Sequence, residues 1–212
     1  MTRPAHSQGF ALPTLMLMLT LASIAALLAM RTVWVNEKML NAEADQLRTL
    51  QKAEAVLPVT LIDILGTAAA HSVGSTPDLR HTAGNATQTH AFFPASLAEY
   101  DILRTRLGAQ TCSAGICAPN ALDPKASQAS YWRGQMATAM VVTAADTPYG
   151  NNSAWYWVEV FPQPNTTSFV YRITALANGV MTGSSTVLQA VWVRDTSTSA
   201  TGQWRSWHVL HD

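Results

Sequence analysis

Charge is what this sequence has least of. Only 12 % of its 212 residues are Asp, Glu, Lys or Arg, and the formal net charge is +0. A neutral chain projects no broad electrostatic field, which argues against nucleic-acid binding as its main role. Cysteine is nearly absent as well: Cys112 and Cys117 are the only two. They flank Ser113-Ala114-Gly115-Ile116, so they can close a small ring in an oxidising compartment, with two buried free thiols as the alternative. A zinc site needs more ligands than this stretch offers, so no metal site is expected. Catalytic signatures are missing too. There is no Gly-x-Ser-x-Gly, no phosphate-binding loop, no HExxH pair and no carboxylate cluster. His71, His81 and His90 fall in a polar stretch and read as solvated. His208 and His211 are three apart where a strand and tail are expected, which places them on opposite faces. The expectation is a chain without catalytic residues and without a cofactor.

What the sequence does have is one long uncharged run. From Phe10 to Met30 no residue carries a formal charge. As a helix this stretch is about 31 Å long, the thickness of a bilayer's hydrocarbon core. An ordinary secretory signal has a shorter apolar region followed by a break. Here the helical pattern goes on through Val33, Leu40, Ala44, Leu47, Leu50, Leu57, Leu61 and Leu65, interleaved with charged residues. The pattern predicts one long helix, bilayer half first and amphipathic half after, with Pro58 kinking or interrupting it near its end. The organisation expected is a leader over 1–9, a membrane helix over 10–30, an amphipathic stem over 31–65 and a globular part over 66–212.

Within that last part, residues 66–95 carry little periodicity and read as an irregular, exposed connection. Ser96–Leu107 reads as a short helix with Ser96 as its cap and Glu99 three residues on. Five β-branched and aromatic runs follow: Gln135–Thr143, Ala154–Phe161, Ser168–Ala177, Ser185–Arg194 and Gln203–Leu210. Short turn-rich connections between them favour antiparallel neighbours, hence a meander packed on the stem. The fold class expected is α+β: a long N-terminal helix packed on a C-terminal antiparallel β-sheet.

Six of the seven Trp lie in the second half, at 132, 155, 157, 192, 204 and 207. Trp155 and Trp157 share one face of a strand while Tyr156 and Val158 share the other. One set is therefore expected to be partly exposed unless something covers it. That makes Trp155 and Trp157 the candidate surface for a partner or ligand, against the alternative that they pack in the core.

A short leader ending in Gly9, then Phe10, then an uncharged run and an amphipathic stem resembles the class III signal of type IV pilins and pseudopilins. The resemblance implies cleavage by prepilin peptidase between Gly9 and Phe10 and methylation of the new Phe10 amine. It also implies a single-pass inner-membrane protein with its C-terminal domain in the periplasm, which then enters a pilus. Major pilins of this family carry Glu at the fifth mature position, which here is Thr14. A carboxylate in a bilayer costs a few kcal/mol, so its usual presence implies a function and its absence is informative. Subunits lacking it resemble those placed at the filament tip, with nothing stacked above. Among minor pilins the chain is similar to the PilX type, on Gly9-Phe10-Ala11-Leu12-Pro13, Gln51–Ala55, Cys112–Pro119, Tyr171–Ala175 and Val187–Trp192. The partners this implies are other minor pilins, the major pilin, prepilin peptidase and the inner membrane. Two alternatives stay open: a minor pseudopilin of a type II secretion system, and a membrane-anchored periplasmic binding or adhesive protein.

Overall fold

The computed structural model describes residues 11–66, 79–82, 89–94, 96–118, 124–143, 153–163, 168–195 and 201–212. The chain divides into two compact units, Met1–Ala44 and Asp45–Asp212, and the first helix, α1 (Ala11–Gly66), enters both. In the first unit α1 presents its apolar side chains outward. Leu12, Met18 and Leu28 are 67 %, 69 % and 59 % exposed, which rules out a core helix and requires a covering other than this unit.

In the second unit α1 packs on a sheet. Its inward line is Asp45, Thr49, Ala53, Val56, Leu57, Thr60 and Ile64, at spacings of three and four. The stripe expected from leucine spacing is thus displaced. Leu47 is exposed and Leu50, Leu61 and Leu65 are only partly buried, while an acid and two threonines lie inside. The cause is the sheet surface, which offers polar groups that α1 satisfies. Thr49 and Thr186 hydroxyls meet at 2.8 Å, and Lys52 Nζ donates to Ser153 Oγ and the Asn178 carbonyl at 2.8 and 3.1 Å. Nor does Pro58 interrupt the helix, which runs on to Gly66. Pro58 takes an exposed position, and Thr60 and Ile64 beyond it are fully buried, so packing outweighs the lost backbone bond.

Two short strands, β1 (Arg80–Thr82) and β2 (Thr89–Ala91), pair antiparallel. Leu79, Phe92 and Phe93 beside them are buried. This part of 66–95 is therefore not irregular, and the residues beside the strands are not exposed; three-residue strands are too short to leave a period. Helix α2 (Leu97–Leu107) starts as expected, with the Glu99 amide donating to Ser96 Oγ at 3.3 Å.

The main sheet has seven strands: β3 (Cys112–Ser113), β4 (Ile116–Cys117), β5 (Met140–Val142), β6 (Ala154–Pro162), β7 (Phe169–Asn178), β8 (Ser185–Arg194) and β9 (Gly202–Val209). The order is β3-β4-β6-β7-β8-β9, with β5 also on β6. β6 to β9 form the expected antiparallel meander, and the one parallel pairing is β4 with β6. The run expected as a strand from Gln135 is strand only over β5. Before it come helix α3 (Ala129–Gly134) and a 3-10 turn, Met136–Thr138. Together the helix and sheet make an α+β architecture consistent with a pilin-like fold.

Both faces of the central strands are covered. Tyr156, Val158, Ile173, Leu188 and Trp192 join Val56 and Ile64 of α1 on one side. Trp157, Leu176 and Val187 join Trp132 of α3 and the two cysteines on the other. Strands buried on both faces lose the apolar-polar alternation that a half-exposed sheet would show.

Candidate functional site

Three features of the fold are candidates for function: the apolar part of α1, the contacts that hold the stem and the cystine hairpin on the sheet, and the edge strand β9. Gly9 and Phe10 lie outside the described residues. Thr14 is within α1 on an exposed turn. The helix is long and apolar enough to cross a membrane, and no residue of its most apolar window is buried. Its hydroxyls are turned back on the backbone. Thr20 donates to the Leu17 carbonyl, Ser23 to Leu19 and Thr32 to Leu28, at 2.9, 2.7 and 3.0 Å. A helix that satisfies its own side-chain donors has little polarity left to present to lipid.

The stem is fixed by Asp45. Its carboxylate accepts the backbone N–H groups of Val180 and Met181, at 3.0 and 3.1 Å, in the turn between β7 and β8. The Val180 amide, the Ser184 hydroxyl, the Met181 amide and nearby Arg48 hold this carboxyl below its usual range. Gly179 leaves the room: a Cβ there would collide with Asp45 and Ser184. A second acid works similarly at α3. Asp212 accepts from the Arg133 guanidinium and the Ser130 amide, both at 2.6 Å, and Arg133 foremost lowers its carboxyl. Both folded carboxyls titrate below the unfolded value of about 3.9. Their contribution is therefore complete above about pH 4 and is lost as the pH falls through the lower folded values. Urea midpoints are expected to fall on acidification from about pH 5 to pH 3. An Asp45→Asn variant should start lower and fall less over the same range.

Cys112 and Cys117 are joined in a disulfide and are directly paired across the β3–β4 hairpin. Ala114 and Gly115 form its turn with φ of 50° and 76°. Gly115 is required twice over, by that φ and by crowding. A Cβ would sit 2.7 Å from Met140 Cβ and 3.0 Å from the Tyr156 carbonyl oxygen. Its amide donates to Thr138 at 2.7 Å and its carbonyl accepts from Val158 at 2.8 Å, which seats the hairpin beside β5 on β6. Closing so short a ring is worth about 2 kcal/mol through the unfolded chain. Reduction, or Cys112→Ser with Cys117→Ser, is expected to lower unfolding stability by that amount in denaturant titrations.

Of the two readings of Trp155 and Trp157, burial supports packing in the core. Trp157 is fully buried and Trp155 partly so, because α3 covers this face of β6. Trp157 and Trp132 rings lie 5.0 Å apart. Each indole N–H is satisfied, Trp157 by Thr138 Oγ1 at 3.1 Å and Trp132 by the Ala126 carbonyl at 2.9 Å. Tyr156 and Val158 on the other face are buried under α1, and the Tyr156 hydroxyl donates to Asp63.

The exposed aromatics of this unit stand on β9, an edge strand open from Gln203 to His208. Trp204 is opposite Trp192, Ser206 opposite Val191 and Trp207 opposite Ala190, with a register shift between Val191 and Trp192. Arg205 is the extra residue of a β-bulge. Trp192 and Ala190 both belong to the core beneath α1, so the bulge turns Trp204 and Trp207 to that same face. They are 43 % and 49 % exposed, enough to offer two indole surfaces to a partner. Three-residue spacing in a regular strand would have set them on opposite faces, so nothing in the sequence marked them as a pair. The bulge and Arg205 also discourage another strand from adding to this edge.

Burial pushes the Tyr171 phenol up to about 12, with Arg194 pulling the other way, so it stays protonated at neutral pH. Among the described residues no group of three or more His, Cys, Asp or Glu is placed to hold a metal ion. Comparison with protein families, with curated proteins and with solved structures finds no match for this chain.

Proposed function

We propose that this chain is a minor pilin of a type IV pilus, of the PilX type, that primes assembly or sits at the filament tip and carries no catalysis. The observation that carries the reading is the continuity of α1. An exposed apolar segment runs without a break into a stem that packs on a mostly antiparallel sheet. Such a helix can lie in a bilayer as a monomer and in a filament core after extraction, since both surround it with apolar groups. Thr14, in place of the usual carboxylate, supports a subunit with no neighbour stacked above it. Trp204 and Trp207 form the surface we assign to the next minor pilin. They replace Trp155 and Trp157 in that role.

Deleting the gene is expected to abolish or sharply reduce surface piliation and twitching motility, with recovery on complementation. Unchanged piliation and twitching would remove the priming role. The half-exposed indoles also favour a second reading, a membrane-anchored adhesive protein that stays in place. In that case Trp204→Ala with Trp207→Ala would impair adhesion while piliation stayed normal.

A further inference from the structure

We propose that Arg31, Trp34 and Lys38 form a collar that binds anionic phospholipid headgroups and fixes the depth at which α1 leaves the bilayer. The inference goes beyond assembly and rests only on the reading of α1 as a membrane span.

The uncharged run ends at Met30, and Arg31 is the next residue. At about 100° per residue, positions 31, 34 and 38 fall within about 60° of one another on the helix surface. Glu37 flanks the collar on its Trp34 side, about 60° from Trp34 but about 100° from Lys38 and about 120° from Arg31. Trp34 is 60 % exposed, and the Lys38 ammonium lies 5.6 Å from its ring centroid. Helical side chains lean toward the N-terminus, so Lys38 reaches back over Trp34 toward the apolar run.

Depth agrees with this chemistry. Trp34 lies about 6 Å along the axis from Met30, within the headgroup layer of about 5–8 Å per leaflet. An indole is at home there, with an apolar body and a polar N–H. Arg31 sits at the hydrocarbon boundary, where its stem stays in lipid and its guanidinium can grip a phosphate in bidentate fashion. Arg31 and Lys38 lie within about 20° of each other, with the nearest acid, Glu37, at least about 100° from either, so the two cations complement a negatively charged lipid surface. In this chain of balanced charge, that is a local excess directly at the end of the span.

The test uses the full chain reconstituted in mixed phosphatidylglycerol and phosphatidylcholine vesicles. Retention after alkaline carbonate extraction is checked first. Energy transfer from Trp34, isolated as the difference between native protein and Trp34→Phe, is read to pyrene-labelled phosphatidylglycerol and to pyrene-labelled phosphatidylcholine. The collar predicts transfer at least about twofold greater to the anionic lipid. It also predicts that this preference disappears in the Arg31→Gln, Lys38→Gln double variant. Equal transfer to both lipids, or a preference that survives the double substitution, overturns the collar and leaves the span standing. Release by carbonate overturns the span and the collar with it.

Discussion

A Trp157→Ala variant is expected to lose about 3–5 kcal/mol of stability, the range for emptying a buried aromatic site. Trp157 is completely enclosed, stacked against Trp132 and tied to Thr138 Oγ1. Its removal would leave a cavity between β6 and α3, while the Thr138 hydroxyl keeps its bond to the Gln135 carbonyl. The neighbouring Trp132 ring cannot collapse into the space without giving up its own bond to the Ala126 carbonyl. Trp204→Ala and Trp207→Ala should each cost less, about 1–2 kcal/mol, because about half of each side chain is already in solvent and no enclosed cavity is left. Urea unfolding of the full chain in detergent, followed by circular dichroism, separates the two classes. A Trp157→Ala protein as stable as Trp204→Ala would contradict the packing of Trp157 and return it to the candidate surface.

Arg172→Met is expected to be nearly as damaging, at about 3 kcal/mol. Glu159 is buried and its two carboxylate oxygens accept from Arg172 Nε and Nη2 at 2.6 and 2.7 Å. The Arg172 guanidinium also lies 5.0 Å from the Phe161 ring centroid. Removing the cation takes two charge-assisted hydrogen bonds from a buried carboxylate. Arg172 is 27 % exposed, which screens the pair and sets the expectation at the lower end of the range. Adding Glu159→Gln to Arg172→Met should recover part of the loss, since a neutral amide is cheaper to bury than a carboxylate that has lost its cation. If the double variant were less stable than the single one, the penalty would not be electrostatic. The same unfolding assay reads both.

Much of this fold was legible because its elements are long. The Phe10–Met30 run, the stem after it and the β6–β9 meander were all marked by composition over eight or more residues. Short elements left no signal. α3 is six residues, Ala129–Gly134, too few for a helical period, and its Trp132 decides which Trp of β6 is buried. Once α3 covers that face, Trp157 belongs to the core, and the argument from strand alternation fails for lack of a free side. Buried polar residues were also invisible. Asp45, Thr49 and Thr60 have no part in the leucine pattern, and their burial follows from the β7–β8 turn, Thr186 and the sheet that encloses them. The β9 bulge is a matter of register, and register is not written in the spacing of Trp204 and Trp207. The cystine, in contrast, was readable, because two cysteines around Ala114-Gly115 fit a two-residue hairpin turn.

These findings leave the continuous helix α1 as the support of the functional reading, with the proposed partner surface on β9. The proposal that this is a processed minor pilin is tested most directly by intact-mass and N-terminal peptide mass spectrometry of the protein extracted from membranes. The account predicts a mature chain that begins at Phe10 with a methylated amine; an intact Met1 would contradict it.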